Sequence, residues 1–132
     1  EGALDIDRMR PNIPERDEST LSDQAQIAVA AARKALAEAN KSADEVDAVI
    51  VSCAYTQRAY PAIAIEVQQE LGIKGFGFDM LVACSAATFG MHRAYEMIAS
   101  GNAGCVLVKP KSVNQALGQA GVFTSCSAPG CV

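Results

Sequence analysis

The chain has 132 residues, half of them apolar, a formal charge of −4 and five cysteines. That length suffices for one domain with a sizeable core, and an acidic balance without any basic cluster beyond two or three residues argues against a nucleic-acid partner. No apolar run reaches membrane-spanning length and no signal-like start is present, so the expectation is a soluble, cytoplasmic protein with no membrane contact. An odd number of cysteines without a C-x-x-C pair predicts reduced thiols rather than a disulfide framework or a metal site.

Residues 1–19 are polar, with Pro11 and Pro14 excluding a helix, and read as an extended arm. Thr20 is the predicted N-cap, with Asp23 three residues on. The helix over 21–39 has Leu21, Ala25, Ala28, Ala32, Ala35, Leu36 and Ala39 on one face, a largely alanine stripe that permits close approach to a sheet. Asn40 can close it in a left-handed conformation. Residues 42–47 read as one capped turn, followed by an apolar strand over 48–53. A loop at 54–61 carries Tyr55, Arg58 and Tyr60 but few charges. Pro61 is expected to start the next helix, whose stripe is Ile63, Val67 and Leu71 and whose end is Gly72. The apolar run 76–82 predicts a short strand buried on both faces. Small residues at 83–87 then allow a sharp turn into a helix that ends at Gly101, and Cys105 opens a last strand over 105–108. Helices alternating with strands imply an α/β fold with a parallel sheet covered by helices. From residue 109 on no pattern continues, and this tail is expected to be structureless.

Cys84 stands where the strand over 76–82 hands over to a helix. The backbone N–H groups of a helix N-terminus favour thiolate over thiol, so a cysteine placed there, expected to be buried, is a candidate nucleophile. The competing reading is a small core hydrophobe, which is how Cys53 and Cys105, both inside strands, are read. From position alone the two readings of Cys84 balance. The glycines at 72, 75 and 77 precede a strand instead of linking a strand to a helix, which is the wrong geometry for a dinucleotide loop. His92 lies two turns along the helix from Cys84, about 12 Å away, too far to act as its base.

The residues Val46-Asp-Ala-Val-Ile-Val-Ser52, Ala59-Tyr-Pro-Ala-Ile-Ala-Ile-Glu-Val-Gln68, Glu70-Leu-Gly-Ile-Lys-Gly75 and above all Phe78-Asp-Met-Leu-Val-Ala-Cys84-Ser-Ala-Ala-Thr-Phe-Gly90 resemble β-ketoacyl-acyl-carrier-protein (ACP) synthase III, a thiolase-fold condensing enzyme. The resemblance implies part of the N-terminal half of a thiolase-like fold, with helices on a mixed, mainly parallel sheet. The division it suggests is an inserted arm at 1–19, the thiolase-like part at 20–108 and a divergent tail at 109–132 that is not family sequence. It implies an acyltransferase in which Cys84 takes the acyl group of acyl-CoA as a thioester and its backbone N–H is one oxyanion donor. Condensation with malonyl-ACP would follow, initiating fatty-acid synthesis. Tyr60 matches an aromatic that, in the family, walls the acyl pocket and reaches across a dimer interface. No cofactor is implied; acyl-CoA and the acyl carrier protein are the partners, and the full-length form would be a homodimer.

The family's malonyl-polarising histidine and asparagine, its first strand and its CoA-holding loop have no counterpart here, and Arg16 belongs to the arm rather than to that loop. The chain therefore reads as a partial one, inactive alone. The family strand order 3-2-1-4-5 puts the missing first strand between 48–53 and 105–108. The expectation is a gap in the sheet, with unpaired N–H and C=O groups at about 1 to 3 kcal/mol each, and no stable monomer. Alternatives are a 3-hydroxy-3-methylglutaryl-CoA synthase or polyketide-starter relative, a non-catalytic subunit pairing with a full-length partner, and, least supported, a thiol-redox protein.

Overall fold

A computed structural model describes residues 21–110 and 120–124. The predicted arm, the Thr20 cap and the tail cysteines Cys126 and Cys131 lie outside these residues. Helix α1 (Asp23–Glu38) is capped by Ser22, whose Oγ accepts from the Ala25 N–H at 3.2 Å. The cap thus falls two residues later than Thr20, because Ser22 is also held from outside its helix: its N–H and hydroxyl donate to the two carboxylate oxygens of Glu66, at 3.0 and 2.9 Å. The alanine stripe Ala25, Ala28, Ala32 and Ala35 is buried as its spacing predicts, and Asn40 closes the helix at φ 52°. The turn after it is a short 3-10 helix, Ala43–Glu45, opened by a capping box between Ser42 and Glu45.

Strand β1 (Ala48–Cys53), helix α2 (Ile63–Leu71), strand β2 (Phe76–Leu81), helix α3 (Ala86–Ala99), strand β3 (Cys105–Pro110) and strand β4 (Gly121–Thr124) follow. The sheet order is β2-β1-β3-β4, with β1 parallel to both neighbours and β4 antiparallel to β3. The three parallel strands are what the alternation of elements predicts, and the mixed, mainly parallel sheet is what the family resemblance implies. Side chains alternate across it. Val49, Val51, Cys53, Cys105 and Leu107 pack under α1 and α2, while Ala48, Ile50, Val106 and Val108 pack under α3 through Ala94 and Met97. Helix α3 lies close to the sheet because Gly90 has no side chain: a Cβ there would sit 3.0 Å from Val108 and 3.3 Å from Ser52.

Three expectations need correction. The sheet has no gap, since β1 pairs directly with β3 from Ala48↔Val106 to Ser52↔Pro110. Asp47 fastens the junction: its N–H donates to the Cys105 carbonyl at 2.9 Å, and its carboxylate accepts from the N–H groups of Gly104 and Cys105 at 2.7 and 3.0 Å. The tail is not wholly structureless, because β3 runs on to Pro110 and residues 121–124 form β4. There Val122 pairs with Leu107 and Phe123 with Val106, each adding to the core on one face of the sheet. Finally, β2 is not buried on both faces. It is an edge strand, and its apolar run is half-buried or exposed along its whole length.

Candidate active site

Parallel strands deliver the loops that follow them to one edge of the sheet, where open α/β folds place their sites. Here the loop after β1 and the turn after β2 leave the sheet side by side: Cys53 pairs with Leu81, and the Val82 N–H donates to the Cys53 carbonyl at 3.0 Å. The first carries Tyr60 and the second Cys84.

After β2 the chain bends through Val82 and forms a 3-10 turn, Ala83–Ser85, that runs straight into α3. The bend is sharp enough to put Ala83 at φ 48°, in the left-handed region that a residue with a Cβ adopts at a cost of about 1 to 3 kcal/mol. The Ser85 N–H closes the turn on the Val82 carbonyl at 3.1 Å. Cys84 therefore sits one turn ahead of an α-helix, as its surrounding small residues predict, but its side chain is exposed rather than buried. Nothing among the described residues roofs the carboxyl edge of β2. Cys53 and Cys105, by contrast, are buried in β1 and β3 and read as packing.

Tyr60 lies in the loop between β1 and α2 and is 81% exposed among the described residues. His92 is exposed on α3 beside Glu96, 3.8 Å from its carboxylate. Helix α2 begins at Ile63 rather than at Pro61 because its first free donors are met by Asp79 of β2, whose two oxygens accept from the Ile63 and Ala64 N–H groups at 2.8 Å each. Glu66, 3% exposed, holds Ser22 on one side and the Arg58 guanidinium of the loop on the other. Neither carboxylate stands out in the sequence as a site residue. The only available signal was an acidic residue inside an apolar strand, at Asp79, and another on the inward side of a short helix, at Glu66. Among the described residues no cluster of histidine, cysteine, aspartate or glutamate could hold a metal ion, and no helix is long and apolar enough to cross a membrane.

No protein-family model matches the chain. Individual relatives do. A β-ketodecanoyl-ACP synthase of Pseudomonas aeruginosa is 54% identical over 108 residues, 82% of this chain and 31% of that protein. A β-ketoacyl-ACP synthase III of Granulibacter bethesdensis is 42% identical over 103 residues, 76% of this chain and 32% of that protein. The chain belongs to the β-ketoacyl-ACP synthase III family. It spans about a third of the length of these relatives. Among solved structures, 3-oxoacyl-ACP synthase III from Aquifex aeolicus superposes over 84% of this chain and 40% of that one, with a TM-score of 0.70 at 30% identity. The tetronic acid condensing enzyme AbyA1 superposes over 80% and 38%, with a TM-score of 0.70 at 26% identity. The thiolase-like fold that the sequence motifs imply is thereby shown.

Proposed function

We propose that Cys84 is the acyl acceptor of a synthase III reaction. The thiol attacks the carbonyl carbon of acyl-CoA, the C–S bond to CoA breaks, the thiol proton leaves with free CoA-SH, and the acyl group remains on Cys84 as a thioester. In the whole protein the thioester is then condensed with malonyl-ACP, whose loss of carbon dioxide supplies the carbanion, to give 3-oxoacyl-ACP and start a fatty-acid chain. The backbone N–H of Cys84 serves as one oxyanion donor, and Tyr60 walls the acyl pocket of a homodimer. CoA and the carrier protein enter as substrate carriers and no cofactor takes part; the reaction is a cytoplasmic one. The observation that carries this reading is an exposed thiol at the head of α3, at the carboxyl edge of a parallel sheet, in a chain so similar to named condensing enzymes.

The open edge of β2 supports the dimer. Phe76 and Leu81 are 50% and 58% exposed there, and no strand among the described residues pairs with its outer side. A long apolar edge of this kind is a template for another chain, and a second copy laid along it would carry its own Tyr60 loop toward the first copy's carboxyl edge.

Acetyl-CoA and octanoyl-CoA are suitable probes, the second because a ten-carbon 3-oxo product, as in the Pseudomonas relative's name, forms by adding two carbons to an eight-carbon acyl group. Incubation of the native protein with each, followed by peptide mass mapping, is expected to find the acyl group on Cys84, and none after Cys84→Ser. An unmodified Cys84, or label spread over Cys53 and Cys105, would sink the assignment.

A further inference from the structure

We propose that Asp79 and Glu66 are positioning residues: together they clamp both sides of the Tyr60 loop and so set which acyl chains the Cys84 site admits. The inference rests on the acyl-transfer reading for its consequence, and on hydrogen bonds between named groups for its geometry.

A helix leaves its first four N–H groups without partners inside the helix. In α2 the capping residue is Ala62, which has no side chain able to accept. Three of the four are met. The Ile65 N–H turns back to the Ala62 carbonyl at 3.0 Å, just ahead of the first regular helix bond from Glu66 to the same carbonyl at 3.1 Å, and the Ile63 and Ala64 N–H groups each take one oxygen of Asp79 at 2.8 Å. A carboxylate at that end of a helix also lies favourably in its dipole. Asp79 is not local to α2. It belongs to β2, five residues ahead of Cys84, so the strand that presents the cysteine also fixes where the Tyr60 loop ends.

The other side of the loop is held by Glu66. Its carboxylate is buried and accepts from the Ser22 N–H and hydroxyl, and it pairs with the Arg58 guanidinium. Next to Arg58, the Gln57 N–H donates to the Gln24 side chain at 3.0 Å, tying the loop to the start of α1 as well. Tyr60 thus lies between anchors at Gln57 and Arg58 on one side and at Ile63 and Ala64 on the other. Being 81% exposed, it makes little contact that could steer its own ring. Its position is inherited from the backbone on either side, and each side has a carboxylate anchor supplied from a regular element, Glu66 of α2 and Asp79 of β2, with the Gln24 amide of α1 joining Glu66. A wall that discriminates acyl chains by their methylene count must be held still, since each methylene is worth only a modest factor in selectivity.

The test uses the native protein with Asp79→Asn and Glu66→Gln. Asp79 is only partly buried, so the first variant keeps the question open if loss of the buried Glu66 charge prevents folding. Amide exchange at Ile63 and Ala64 is expected to speed up by about tenfold in Asp79→Asn. The ratio of octanoyl to acetyl transfer onto Cys84 should shift by at least about threefold, while alkylation of Cys84 by iodoacetamide stays within about twofold. An unchanged acyl ratio despite accelerated exchange would overturn the proposal. So would acylation and alkylation falling together, which is what a merely structural role predicts. Should the unsubstituted protein take up neither acyl group, accelerated exchange in Asp79→Asn with faster nitration of Tyr60 would still support the clamp and would sink the acyl-transfer reading alone; exchange left as it was would sink the clamp.

Discussion

β1 and β2 are adjacent parallel strands of six residues each, both mostly apolar, and they live in different surroundings. All of β1 is buried, flanked by β2 and β3 and covered by helices on both faces. β2 has α2 against one face, Phe78 packed toward the α3 cluster on the other, and among the described residues only one strand beside it, and its end residues Phe76 and Leu81 are half exposed or more. Equal apolarity with unequal burial teaches that hydrophobic sequence records the contact a strand is built to make, while topology decides whether this chain itself provides it. In β2 the unfilled contact lies directly ahead of the turn that presents Cys84, so the incomplete edge and the reactive residue belong to one region.

The largest effect that separates the two strands is a cavity. Ile50→Ala in β1 removes a fully buried side chain and is expected to cost about 2 to 5 kcal/mol, read as a fall in the urea midpoint. Leu81→Ala in β2 removes a side chain that is exposed in the single chain and should cost about 0.5 kcal/mol or less in the monomer. At concentrations where the proposed dimer forms along this edge the penalty should grow with protein concentration, and a small penalty at every concentration would leave the contrast intact and remove β2 as the dimer edge.

A smaller effect comes from the turn into β2. A Cβ on Gly75 would sit 2.0 Å from the Asp47 carbonyl oxygen, which itself accepts from the Phe76 N–H at 3.0 Å. Gly75→Ala must push the start of β2 away from β1, at about 1 to 3 kcal/mol by thermal melting. The loss should be felt at the edge strand first, as faster amide exchange at Phe76 than at Val106. Equal acceleration at both would mean that β2 does not move independently of the sheet centre.

Much of this fold was legible in residue pattern because the relevant physics is local. The alanine stripe of α1, the left-handed Asn40, the Ser42–Glu45 capping box and the apolar run of β1 each depend on residues within a turn or two of one another. The Cys84 turn was legible for the same reason. What pattern could not show is non-local. Ser22 replaces Thr20 as the cap because of Glu66, forty-four positions away, and α2 starts where Asp79 of another strand meets its donors. The expected gap failed on the same ground: family topology argued for a missing neighbour, but two apolar parallel strands joined by Asp47 close on each other. Burial of Cys84 was misjudged because apolar flanks say nothing about whether a roof is present.

The smallest effect tests the buried centre through its own cysteine. Burial pushes the Cys105 thiol above its ordinary value of 9.0, with the carboxylates of Asp47 and Glu45 adding to the shift and the Lys41 ammonium opposing it. A raised folded value means that the unfolded chain releases this proton first as pH increases. The stabilising contribution is therefore fully present below about pH 9 and is lost as pH rises toward the higher folded value. Urea midpoints of the native protein should hold steady between pH 7 and about pH 9 and then fall, and Cys105→Ala should flatten part of that alkaline limb. Lys41, raised by its hydrogen bond to Glu45, falls off in the same direction, but as an exposed group it follows salt concentration where Cys105 does not. An alkaline limb that vanishes in high salt and survives Cys105→Ala would assign it to the surface pair, and would leave the thiol in β3 as a packing residue without a part in the pH response.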